Sequence, residues 1–139
     1  SGFPSFLVKH SGLNSGFMIT QYAAAALVSE NKVLAHPASV DSIPTCENQE
    51  DLVSMGAHAA RKAGEIAFNT RRVVATEILA ACQAIDLRMR TNEKLRLGKA
   101  TQKIWREFRK GIKLYESERP LAPDIQKAYE FVKELVNII

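Results

Sequence analysis

Cysteine is scarce: only Cys46 and Cys82 occur in 139 residues, with no CxxC or Cys/His spacing between them. A zinc ligand set is therefore missing, and no metal is expected. A disulfide would need folding to bring two distant segments together, so two buried, reduced thiols are expected instead. Phosphate-cradling glycine loops are missing too. Gly12 and Gly16 stand alone, with no Gly-Lys-Ser/Thr and no GxGxxG. There is no HExxH, and His10, His36 and His58 are far apart. Ser39 lies in Pro-Ala-Ser-Val rather than in a GxSxG elbow, which argues against a hydrolase nucleophile. The longest apolar-leaning run, 22–28, is far below membrane-spanning length, and no secretory pattern precedes it. A cytoplasmic protein with no membrane partner is expected.

Charge of one sign is also in short supply. The 19 Lys and Arg barely exceed the 15 Asp and Glu, although the pI is about 9.2. Much of the excess lies in 88–113, where bases and acids mix as on a solvated helix face. A nucleic-acid groove needs a more one-sided stripe, so no nucleic acid is expected as a partner. What is present is ordinary apolar content, 46%, enough for a real core in one domain.

The apolar residues repeat at three and four, the spacing of one helix face. After a loop over 1–13, the first helix is predicted at about 15–35. Its face is Phe17, Ile19, Ala23, Ala24, Leu27, Val28 and Val33, with Asn14 or Ser15 as cap. The four alanines at 23–26 would let another helix approach closely. A long helix at about 52–87 carries Ala59, Ala63, Ile66, Ala67, Val73, Val74, Ile78, Ala81, Cys82 and Ile85. At 1.5 Å per residue it would reach about 54 Å, a length suited to a bundle or a larger assembly. A third helix, about 93–115, would bury Leu97, Thr101, Ile104, Phe108 and Ile112, with breaks at Gly98 and Gly111 and Trp105 at the edge. Pro123 and Asp124 open the last, about 123–136, with Ile125, Ala128, Tyr129, Val132 and Leu135 inward. No strand-period run competes. The fold class expected is all-α.

One polar cluster has chemical interest. Glu47-Asn48-Gln49-Glu50-Asp51 sets two amides among three carboxylates where the loop 39–51 meets the long helix. A carboxylate there could accept a proton or bind a cationic ring, with the amides fixing its rotamer. The plainer alternative is that Asn48 caps and that Glu50 and Asp51 favour a helix N-terminus.

Three longer motifs, in order, carry a family resemblance: Gly-Leu-Asn-Ser-Gly-Phe-Met at 12–18, Leu-Ala-His-Pro-Ala-Ser-Val-Asp-Ser at 34–42, and Asn-Gln-Glu-Asp-Leu-Val-Ser-Met at 48–55. With Ala-Cys-Gln-Ala-Ile-Asp-Leu-Arg at 81–88 and Ala-Pro-Asp-Ile at 122–125, the chain resembles the aromatic amino acid ammonia-lyases along nearly its whole length. It is most similar to their histidine-type branch. Glu50 stands where phenylalanine- and tyrosine-type members carry an amide, and Met18 where phenylalanine-type members tend to carry Lys. A carboxylate suits an imidazole, because it accepts the ring N–H or balances a protonated ring.

The resemblance implies non-oxidative deamination of L-histidine to urocanate and ammonia in histidine degradation. It also implies a methylidene-imidazolone (MIO) prosthetic group formed from an internal Ala-Ser-Gly, and homotetramers whose subunits share sites through a central helical bundle. It places Glu50 at the substrate in a catalytic and binding role, Met18 near the electrophile, and Asn48 and Gln49 in support of the site loop. This sequence has Ala-Ser-Val at 38–40 and no Ala-Ser-Gly. The expectation is a C-terminal quarter of a longer lyase, inactive alone, whose partners are the remaining lyase chain and the other subunits. The alternatives are a phenylalanine- or tyrosine-type segment, or a catalytically silent oligomerisation module.

Overall fold

The computed structural model describes residues 2–138; Ser1 and Ile139, the ends of the segment considered above, lie outside them. A short 3-10 turn, Ser5–Leu7, precedes four α-helices: α1 Met18–Leu34, α2 Gly56–Thr91, α3 Lys99–Gly111 and α4 Ala122–Ile138. No strand occurs among the described residues, and the all-α expectation holds.

The helix ends obey local chemistry unevenly. Gly98 is the N-cap of α3 and Gly111 its last residue, as their poor helix propensity predicts. Pro123 and Asp124 lie in the first turn of α4, where a missing N–H costs nothing and a negative charge meets the helix dipole. The cap expected for α1 is different. Its N-cap is Phe17, without a side-chain bond, while the Asn14 amide donates to the Lys9 carbonyl instead. Nor do Glu50 and Asp51 favour a helix start, because α2 begins at Gly56 with no acid in its first turn.

The core lies where α2, α3 and α4 meet the N-terminal segment. Val8, Phe17, Ala75, Leu79, Cys82, Phe108, Ile112, Tyr115, Ala128 and Tyr129 are buried together. Edge-to-face ring pairs lock it: Phe108 on Phe131 at 5.3 Å, Phe17 on Tyr115 at 5.7 Å and Phe68 on Tyr129 at 5.6 Å. Between α2 and α3, Asp86 accepts from the Trp105 indole N–H (2.9 Å) and pairs with Arg109 (2.5 Å).

Three packing expectations need correction. On α2 the buried face is Ala75, Leu79, Cys82, Gln83 and Leu87, whereas Ala59, Ala63, Ala67 and Ala81 of the predicted stripe are exposed. Alanine occurs all round this helix, so its methyl groups do not mark a face. On α1, which runs antiparallel to the first half of α2, Ile19 and Val33 are exposed, as is Ala23; Ala24 and Leu27 are half-buried. In the third helix Leu97 precedes the first turn and Thr101 is exposed, while Phe108 and Ile112 are buried.

Candidate functional site

Residues 45–50 form a closed loop. The Thr45 N–H donates to the Glu50 carbonyl at 2.7 Å, and the Glu50 N–H returns to the Thr45 carbonyl at 3.2 Å. Inside this clasp the Gln49 N–H donates to the Cys46 carbonyl at 3.1 Å. To close so tightly, Cys46, Glu47 and Asn48 all take left-handed backbone, with φ of 50°, 56° and 68°. Non-glycine residues there cost on the order of 1–3 kcal/mol each, a strain that collects at functional sites.

The clasp presents its polar side chains outward: Asn48, Gln49 and Glu50 are all exposed. The Thr45 hydroxyl donates to Glu50 Oε2 at 3.4 Å. Among the described residues no ion pair takes up the Glu50 carboxylate, so its charge is available to a ligand. Thr45 is the partner of Glu50 that the sequence did not single out; a lone threonine in a polar loop carries no spacing signal. Beside the clasp, Ser42 Oγ accepts from the Val53 N–H at 3.1 Å, and Asp41, Ser42 and Val53–Gly56 border a cavity of about 530 Å³.

Met18 lies elsewhere. It opens α1 and is half-buried in a cavity of about 500 Å³ with Phe6, Phe17, Gln21, Val73 and Glu77. Glu50 does not border that cavity, and its loop leaves the far end of α1, a helix of about 26 Å. Within this chain, Asn48, Gln49 and Glu50 are therefore brought together and Met18 is not joined to them.

The two thiols also differ from expectation. Cys82 is buried beside Asp86 and Arg109, and burial pushes its pKa from 9.0 up to about 11. Cys46, expected to be buried, is exposed in the clasp, because a left-handed turn has no interior to hide it in. Both are free. Among the described residues no three His, Cys, Asp or Glu side chains group to hold a metal ion, and no helix is long and apolar enough to cross a membrane.

Comparison with known proteins supplies the context for this geometry. Over 135 residues, 96% of this chain, the sequence is 60% identical to a histidine ammonia-lyase of Streptococcus gordonii, of which it covers 26%. It is 66% identical over 119 residues to one of Streptococcus pyogenes, covering 86% of this chain and 23% of that protein. The crystal structure of histidine ammonia-lyase from Trypanosoma cruzi superposes with a TM-score of 0.88 at 46% identity, covering 96% of this chain and 26% of that one. The chain thus spans about a quarter of the length of the relatives it matches. Residues 1–110 match the family model of the aromatic amino acid lyases, and the chain belongs to that family.

Proposed function

We propose that this chain supplies walls of the substrate sites in a lyase that deaminates L-histidine to urocanate and ammonia. Glu50 faces the imidazole as binding and catalytic carboxylate. Asn48 and Gln49 shape the loop that presents it, and Met18 lines the site near the electrophile. The observation that carries the reading is the Glu50 carboxylate: exposed, unclaimed by a cation among the described residues, and held by Thr45 at the end of a strained clasp. A cationic or N–H-bearing ring gives such a carboxylate a partner, whereas a neutral aromatic ring leaves it with none. Similarity of 60–66% to histidine ammonia-lyases supports the same substrate.

The family's MIO group is not one these residues can build. In the nearest tripeptide, Ala38-Ser39-Val40, a β-branched residue, 65% exposed, stands where glycine would have to close a ring onto the backbone. The electrophile comes from the remainder of the enzyme, and this chain alone is inactive. Since the two candidate regions, Met18 and the clasp, line no common cavity, each completes a site with surfaces from elsewhere, as in a tetramer with shared sites.

Glu50→Gln in a complete lyase containing this segment tests the reading. Loss of a charge-assisted hydrogen bond predicts a fall in kcat/KM for L-histidine of about tenfold to a hundredfold, with assembly unchanged by light scattering. Unchanged turnover would leave the segment a scaffold only.

A further inference from the structure

The turn that leads into Met18 is held by a carboxylate from the other end of the chain. Glu118 Oε2 accepts from the Ser15 N–H at 3.0 Å and from the Gly16 N–H at 3.4 Å, across 103 and 102 residues of sequence. The next two amides are also engaged: Phe17 N–H donates to the Phe6 carbonyl at 3.0 Å, and Met18 N–H to the Ser15 carbonyl at 3.1 Å. On its other side the turn is wedged. Gly16 has φ of +54°, and a Cβ there would sit 2.5 Å from the Phe6 carbonyl oxygen and 2.7 Å from Val8 Cγ1. The backbone entering α1 thus has a carboxylate on one face and a packed wall on the other. A negative charge at a helix N-terminus also meets the favourable end of its dipole.

The arm that carries Glu118 is itself fixed. Three residues before it, Tyr115 exchanges two hydrogen bonds with the buried Gln83: its N–H donates to Gln83 Oε1 (3.0 Å), and its carbonyl accepts from Gln83 Nε2 (2.8 Å). The same Gln83 amide donates to the Leu7 carbonyl at 2.9 Å, so one side chain on α2 ties both arms of the clamp. One residue after it, Arg119 pairs with Asp124 at the start of α4 and donates to the Lys113 carbonyl at 3.2 Å.

We propose that Glu118 is the positioning residue of Met18: by binding the Ser15 and Gly16 amides it sets the entry of α1, and with it the place of the Met18 side chain against the substrate. The proposal rests on the reading that Met18 lines the site. The experiment uses the complete lyase with Glu118→Ala, Glu118→Gln, Met18→Ala and the Glu118→Ala/Met18→Ala double variant.

Glu118→Ala is expected to lower kcat/KM for L-histidine about tenfold or more, the scale of a lost charge-assisted bond. Amide exchange over 13–18 should accelerate, and Glu118→Gln, whose carbonyl oxygen still accepts, should recover part of both. In the double variant the loss should not exceed that of Met18→Ala by more than about twofold, because coupled residues do not add. Full additivity while Met18→Ala is impaired, or unchanged turnover in Glu118→Ala, overturns the role of Glu118 and leaves Met18 in place. A silent Met18→Ala overturns both. If Glu118→Ala does not assemble, the cycle is run with Glu118→Gln, whose smaller loss should vanish in the Met18→Ala background; a loss that persists there overturns the role of Glu118.

Discussion

Residues 21–68 and residues 69–129 use similar apolar side chains to opposite ends. In the second stretch Leu79, Phe108, Ile112 and Tyr115 are at most 3% exposed, packed with Ala75, Cys82 and Ala128. In the first, no residue is fully buried; Tyr22, Val33 and Leu52 are 68%, 74% and 82% exposed. The buried half holds the fold and the arm that carries Glu118. The open half holds the clasp with Glu50 and the outer face of α1. Packed support and exposed surface are thus divided along the chain, with Met18 at the seam: its turn is clamped by Glu118 of residues 69–129, and its helix runs on into residues 21–68.

The sharpest way to break that contrast is a pair of truncations. Phe108→Ala should cost about 3–5 kcal/mol of unfolding free energy, as expected for a ring removed from a packed core. Val33→Ala should stay within about 0.5 kcal/mol. Urea titrations compare them directly; a Val33 loss as large as that of Phe108 would mean that the α1 face is covered. Gln83→Leu comes next. It keeps the volume but strands the Leu7 and Tyr115 backbone groups in a buried place, for a loss of about 1–3 kcal/mol read by the same titration. Gln49→Leu, on the exposed clasp, should be nearly silent in stability.

The smallest effect concerns the thiols. Native protein should take one iodoacetamide adduct, on Cys46, and two only after unfolding, counted by intact mass. Two adducts in the native state would remove the distinction. Because the folded pKa of Cys82 is raised from 9.0 to about 11, the unfolded thiol loses its proton first. Stability is therefore unaffected by this group below pH 9 and falls as pH rises through about 11, a slope that Cys82→Ala should abolish.

Some of this was legible without coordinates. Gly98, Gly111, Pro123 and Asp124 mark helix ends because their backbone preferences act within a few residues. Phe108, Ala128 and Tyr129 follow from period and size. The polar cluster around Glu50 read either as chemistry or as a helix start, and the start of α2 at Gly56 removes the second reading; the motifs around it carried the family. The clasp itself did not. Three left-handed residues without a glycine are a consequence of the Thr45–Glu50 backbone pair, and no propensity announces them.

By itself, then, the sequence determined the class of fold, the helix boundaries that rest on glycine and proline, and the membership of a lyase family through ordered motifs. Tertiary structure alone decided which side of α2 is inside, where alanines on every face leave the period mute. It also decided that Gln83 and Glu118 serve distant backbone groups, and that Cys46 is exposed while Cys82 is buried. The reason is range. Caps, turns and helical period are properties of neighbouring residues, whereas a carboxylate that reaches an amide 103 residues away acquires its role only when the chain has closed.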